Sequence, residues 1–309
     1  MLAGIYTFFC RFESAAVLPV FKGSTLRGGL GHSLKKISCA LRQRECGNCL
    51  LSNNCAYAFL FEVKNSRPVE SGKTRVAHRP HPYVLFPPEK QKRAYEKDET
   101  FTFGLVLFGR ANTYLPHIVY AVQEMGKTGL GKRSSEPGRF LLETVRMGED
   151  ILFDGSTLRQ SQPVPQLCLQ SPAEGAHDKI SLSCLTPLRL KHGNELQGTL
   201  PFHFVIRAAL RRVASLEAVY GNGEPDIDYR TLAARAGEVE IDSSDCRWVD
   251  IERYSNRQRS SMLFGGVQGR IIYCGDNLED FLPLLRYCEI VNLGKQTSFG
   301  LGRISVGEM

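Results

Sequence analysis

Two stretches of this chain repeat one another. LVLFGRANTYLPHIVYAVQEMGKTGLGKR (105–133) and IIYCGDNLEDFLPLLRYCEIVNLGKQTSFGLGR (271–303) each open on an apolar, strand-like run and reach a glycine, Gly109 or Gly275. Each continues into a helix-like stretch with Leu-Pro near its start, Leu115-Pro116 or Leu282-Pro283. Proline fits a first helical turn, where its missing N–H has no helical partner. Each stretch then ends in Gly-Lys followed by Gly-Leu-Gly and a basic residue, and leads into a further strand, 140–146 or 303–306. A duplication of this kind constrains the fold more than any composition does. The same supersecondary unit must be built twice.

The upstream halves of the two units correspond as well. Residues 3–12 alternate like a strand and are followed by a predicted helix over 24–37, while 179–186 read as a strand before a stronger helix over 201–219. Further strands are predicted at 83–86, 101–108, 246–254 and 267–274. The order strand, helix, strands, helix, strand is the split β-α-β pattern of a ferredoxin-like unit. We therefore expect an α+β chain of two tandem ferredoxin-like (RRM-like) domains with antiparallel sheets. One covers 1–150 with an insertion at 39–55, the other 179–309, and the linker falls in 149–178, where Gly155, Pro163, Pro165, Pro172 and Gly175 break periodicity. The 309 residues suffice for two such domains.

The loop from Gly294 through Lys295, Gly300 and Gly302 to Arg303 is the most informative stretch. Glycines let a backbone approach a ligand closely, and successive N–H groups can form an anion nest flanked here by two cations. A structural αβ turn would use the same glycines. A Walker loop and a dinucleotide loop both require a following helix, and this loop precedes a strand. The 126–133 loop offers the same chemistry.

Charge is unevenly distributed. Residues 22–44 carry Lys22, Arg27, Lys35, Lys36, Arg42 and Arg44 without an acid, and 253–270 carry Arg253, Arg257, Arg259 and Arg270 without one. Residues 217–250 are acidic on balance. Opposed basic and acidic surfaces fit a polyanion partner, with Arg27 a candidate RNA-binding residue. Arg207 and Arg211 share one face of the second-half helix, and Arg257 and Arg259 sit among Tyr254, Asn256 and Gln258, a mixture suited to contacting phosphates and unstacked RNA bases.

Of ten cysteines, Cys39, Cys46, Cys49 and Cys55 crowd into a C-x6-C-x2-C-x5-C pattern. That spacing suits a four-thiolate structural zinc, ahead of an iron–sulfur cluster or four unmetallated thiols. The amino-terminal stretch lacks the basic segment of a signal peptide, and no run of apolar residues is long enough to span a membrane. The expected compartment is a reducing cytoplasm.

RNA brings its own nucleophile. Its 2′-OH attacks the adjacent phosphate once a base removes the proton and an acid protonates the departing 5′-oxygen, with cations stabilising the phosphorane. Histidine suits the acid or base role because imidazoles titrate near neutrality. His32 stands out, with Lys35 and Lys36 three and four places on along a predicted helix, and with Gly28, Gly29 and Gly31 allowing close approach of a ligand. His203 reads as a packing or RNA-contact residue. His78 and His81 read as loop residues.

The terminal loop resembles the glycine-rich signature of the CRISPR-associated RAMP superfamily. Four further stretches resemble its precursor-crRNA processing endoribonucleases: GSTLRGGLGHSLKK (23–36), PYVLFPP (82–88), TPLRLK (186–191) and RYSNRQRSSMLFGGVQGRIIY (253–273). The resemblance implies an endoribonuclease that needs no catalytic metal, cuts CRISPR repeat RNA and leaves 2′,3′-cyclic phosphate and 5′-hydroxyl ends. It assigns the general acid or base to His32 and the accompanying cation to Lys35 or Lys36, and it implies a CRISPR effector complex as recipient of the product. It also fits the branch that carries a four-cysteine cluster. Some members pair the histidine with an upstream tyrosine, and this chain has none between Tyr6 and Tyr57. The alternative is a non-catalytic RAMP subunit that holds guide RNA in an effector complex.

Overall fold

The computed structural model describes residues 1–41, 45–63, 68–71, 74–131, 137–159, 163–169, 175, 177–193, 195–255 and 260–309. These residues form two compact units. The first is Met1–Glu70, Arg75–Gln166 and Val219–Gly221; the second is Ser71–Thr74, Leu167–Ala218 and Asn222–Met309.

In the first unit the alternating segment becomes strand β1 (Ala3–Phe12). Tyr6, Phe8, Cys10 and Phe12 point inward and are essentially fully buried. Helix α1 (Gly23–Ser38) follows, then the short helix α2 (Ala56–Phe61), strands β2 (Tyr83–Phe86) and β3 (Thr100–Phe108), helix α3 (Leu115–Thr128), and strands β4 (Phe140–Met147) and β5 (Asp150–Phe153). The antiparallel sheet runs β2-β3-β1-β4-β5. Phe8 stands opposite Phe103 across the β1–β3 pair, and the two rings stack at 4.8 Å. Leu26, Leu30 and Leu34 recur at helical spacing and bring α1 down on this aromatic layer, while Ile118, Val119, Val122 and Met125 do the same for α3.

The second unit repeats the plan. Strand β6 (Lys179–Leu188) leads to α4 (Phe202–Tyr220), α5 (Tyr229–Arg235), β7 (Glu240–Ser244), β8 (Arg247–Ser255), β9 (Ser260–Cys274), α6 (Leu282–Val291) and β10 (Ile304–Glu308). Its sheet runs β7-β9-β6-β10, and β8 also pairs with the long strand β9. The repeat seen in the sequence is thus β3 through α3 in one unit and β9 through α6 in the other, with a proline in the first turn of both helices. Both units are ferredoxin-like and antiparallel. Strand β5 lies in the stretch expected as linker, and β7, exposed along its whole length, was not anticipated. No helix among the described residues is long and apolar enough to cross a membrane.

Candidate active site

Helix α1 shows three kinds of surface. Its inward side carries the buried leucines. One flank meets α2, where a Cβ on Gly31 would come within 2.8 Å of the Phe61 ring. The other meets α3, where a Cβ on Gly29 would come within 2.7 Å of Met125 Sδ. What remains is an outer ridge of Gly28, His32 and Lys36, all exposed. The glycines were expected to admit a ligand, and two of them do not. Gly29 and Gly31 admit the chain's own side chains, and only Gly28 faces open space, with nothing within 4 Å.

His32 therefore stands on solvent-facing helix, in the turn before the last one, which ends at Ser38. Lys35 and Lys36 occupy that last turn, where cations suit the carbonyl end of a helix. Their surroundings differ. Lys36 Nζ pairs with Glu124 at 3.2 Å, and Glu124 also accepts from Lys127 at 2.7 Å. The hydrogen bonds from Lys127 and Lys36 hold the Glu124 carboxyl below the usual carboxylate range. Lys35 turns toward α2 and sets its Nζ 5.3 Å from the centre of the Tyr57 ring.

Arg27 lies on the α2 flank and is half-buried. Its guanidinium sits 5.2 Å from the Phe61 ring and within 3.3 Å of His81 Nε2. His81 Nδ1 lies 3.0 Å from the Leu60 carbonyl. That carbonyl can only accept, so Nδ1 carries the proton and Nε2 accepts from Arg27. His81 was read from sequence as a loop residue. Its place just before the PYVLFPP strand was the one available signal for this anchoring role. Lys22, counted in the basic run, is 1% exposed and donates to the carbonyls of Val20 and Lys90. It adds nothing to the surface, and burial lowers its pKa.

The cysteine loop follows directly. Cys39 ends α1, Cys46 and Cys49 bracket a 3-10 turn, and Cys55 precedes α2. Burial raises the Cys46 pKa; Lys35 lowers it, while Glu62, Cys39 and Cys55 raise it. The donor chemistry of the four thiols suits zinc. Yet among the described residues no three His, Cys, Asp or Glu side chains gather closely enough to hold an ion.

In the second unit the terminal loop is stitched to the TPLRLK segment. Lys295 N–H donates to the Arg189 carbonyl at 3.0 Å, Gly302 N–H to that of Pro187 at 3.1 Å, and Arg303 N–H to Thr186 Oγ1 at 2.9 Å. Arg212 of α4 reaches the Val291 carbonyl at 2.8 Å and Thr297 Oγ1 at 3.2 Å. Gly300 and Gly302 are buried with φ of 89° and 72°, and a Cβ on Gly302 would come within 1.8 Å of the Leu293 carbonyl oxygen. Where phosphate contact was expected, Gly300 and Gly302 are buried turn glycines, Gly300 by its φ and Gly302 by both φ and packing. The accessible part of the loop is Gly294, Lys295 and Gln296, with Arg303 half-buried. Arg207 and Arg211 are exposed on α4, as their spacing predicts. Arg253 lies between the rings of Phe264 and Phe299, at 4.9 and 4.7 Å. Arg257 and Arg259 lie outside the described residues, as do Arg42, Arg44, Lys132 and Arg133.

Comparison with known proteins places this arrangement. The AF_1859_N family, described as an N-terminal domain, matches residues 2–165, more than half of the chain, and the CRISPR-associated endoribonuclease Cas6 family matches residues 182–304. The chain belongs to the AF_1859_N family and is a Cas6-like, CRISPR-associated protein. This Cas6-like chain is 27% identical over 288 residues to an uncharacterized protein of Archaeoglobus fulgidus, covering 92% of this chain and 91% of that one. Its fold is similar to a Cas6 product complex, with a TM-score of 0.57 at 13% identity and 99% of each chain covered. It is also similar to Thermus thermophilus Cas6, with a TM-score of 0.56 at 11% identity, covering 99% and 98%. At these identities the likeness shows the fold alone, while the roles of the residues rest on their own geometry.

Proposed function

We propose that this Cas6-like protein is an endoribonuclease that cuts CRISPR repeat RNA within its precursor transcript. The 2′-OH is the nucleophile, and the products end in 2′,3′-cyclic phosphate and 5′-hydroxyl. The observation that carries the reading is the outer ridge of α1, where an exposed imidazole stands beside the last-turn lysines. His32 moves the proton, as general base at the 2′-oxygen or general acid at the 5′-oxygen. Lys35, which is not paired with Glu124, is the better placed of the two lysines to stabilise charge building on the phosphorane. Arg27, held on that helix by Phe61 and His81, is proposed to bind RNA from there. Arg207, Arg211, Gly294, Lys295 and Arg303 are proposed to bind the RNA backbone, along with Arg257 and Arg259.

We further propose that Cys39, Cys46, Cys49 and Cys55 hold a structural zinc that braces the end of α1. The C-x6-C-x2-C-x5-C spacing supports this. Elemental analysis of tag-free protein finding neither zinc nor iron would overturn it. The product is proposed to pass to a CRISPR effector complex.

The deciding experiment incubates purified protein with end-labelled repeat RNA in excess EDTA. Discrete cutting with a new 5′-hydroxyl end is expected, and His32→Ala should abolish it while sparing RNA binding. Binding without cutting by the natural chain would make it a guide-RNA holding subunit instead.

A further inference from the structure

The second unit holds a thiol pair that RNA cleavage does not use. Cys184 points inward from β6 at 3% exposure, and its partner across the sheet on β9 is Gly269. Cys246 is a half-buried residue in the turn between β7 and β8. Gly269 has φ of 134°, and a Cβ there would come within 2.8 Å of Cys246 Cα and 2.7 Å of Asp245 Oδ1. The absent side chain lets the turn fold down over β9. The two free thiols, rooted on opposite sides of that strand, border the same gap over Gly269. A hydrogen bond also links Cys246 to the Ser244 side chain.

We propose that Cys246 and Cys184 are an oxidant-responsive pair, in which Cys246 attacks a low-molecular-weight disulfide and Cys184 resolves the adduct into an intramolecular disulfide. The hydrogen bond from Cys184 holds the Cys246 thiol below the ordinary range, with the Ser244 contact assisting and burial and Asp245 opposing. Hydrogen bonding with Cys246 and then burial push the Cys184 thiol up. The thiolate is the reactive form, so the accessible member attacks and the buried one follows. In the first step Cys246 Sγ bonds to one sulfur of the small disulfide, and the other sulfur leaves as a thiolate that takes a proton from water. In the second, Cys184 surrenders its proton as it attacks Cys246 Sγ, and the second small thiol departs carrying a proton. Two protein thiols are oxidised and one small disulfide is reduced to two thiols. The new bond ties the β7–β8 turn to β6 across β9.

The test uses the full reduced chain, oxidised glutathione as probe, alkylation with iodoacetamide and peptide mapping. Cys246 should react faster than Cys168, an exposed cysteine of the same unit that serves as internal reference. The oxidised chain should yield a Cys184–Cys246 cross-linked peptide. Cys184→Ala should stop at the glutathione adduct on Cys246 and shift Cys246 alkylation to higher pH, and Cys246→Ala should leave Cys184 unmodified. Natural chain that reacts no faster at Cys246 than at Cys168, or that keeps a stable glutathione adduct with no cross-link, would overturn the proposal without needing either variant to fold.

Discussion

The three glycines of α1 predict a graded stability series. Alanine at an exposed helix-interior glycine gains about 0.5–1 kcal/mol from reduced backbone entropy. Gly28→Ala should realise that full gain, because nothing lies within 4 Å of the added methyl. Gly31→Ala meets Phe61 at 2.8 Å. That ring cannot swing aside freely, since it stacks on Tyr57 at 5.5 Å and carries the Arg27 guanidinium at 5.2 Å. Overpacking of about 1–3 kcal/mol set against the same entropic gain leaves a net loss of roughly 1–2 kcal/mol. Gly29→Ala should fall between, because its neighbour at 2.7 Å is the sulfur of Met125, whose side chain repacks easily. Urea unfolding followed by circular dichroism measures the series, with emission from Trp248, the single tryptophan, reporting the second unit. A Gly31→Ala protein as stable as Gly28→Ala would refute the account of α1 as a helix wedged between α2 and α3.

Four other outcomes are expected. His32→Ala should lower the single-turnover cleavage rate by about 10²–10⁴-fold, the usual range for a positioned acid or base, with RNA affinity little changed; Lys35→Ala should slow cleavage more than Lys36→Ala, and the reverse order would shift the cation's role to Lys36. Gly302→Ala should unseat the terminal loop and lower the melting temperature sharply, because its φ of 72° and the Leu293 carbonyl at 1.8 Å leave no room for a methyl; a melting temperature equal to that of the natural chain would contradict the buried-turn assignment. The depressed Glu124 pKa makes its ion pairs a source of stability that is complete above the ordinary carboxylate value of 4.5 and is lost as pH falls through the lower folded value. Glu124→Gln should flatten that acid-side slope in urea midpoints, and an unchanged slope would remove Glu124 as its source.

Much of the fold was legible because burial imposes a period on sequence. Strand β1 and helices α1, α3 and α4 each bury one face, so alternation or helical spacing marks them. Helix α2 has only six residues, too few to show a period, and β7 buries no face at all. At the candidate site the nearness of Lys35 and Lys36 to His32 on one helix followed from their spacing. The use of the glycines did not, because a missing side chain looks the same in sequence whether it makes room for a ligand, for Phe61 or for a carbonyl. The pairing of Arg27 with His81 bridges residues 54 apart in the chain, and no local pattern announces such a contact.

Strand β10 borders β6, the strand that opens the second unit, and the loop before it is laced to the 185–189 segment. During synthesis residues 179–189 leave the ribosome more than a hundred residues ahead of the segment that completes their sheet. The first unit's strand β1 meets both its neighbours by residue 147. Nascent chains should therefore mature vectorially. The helix that bears the imidazole would settle early, and the other half would wait, one sheet edge open, until residue 308 has cleared the exit tunnel.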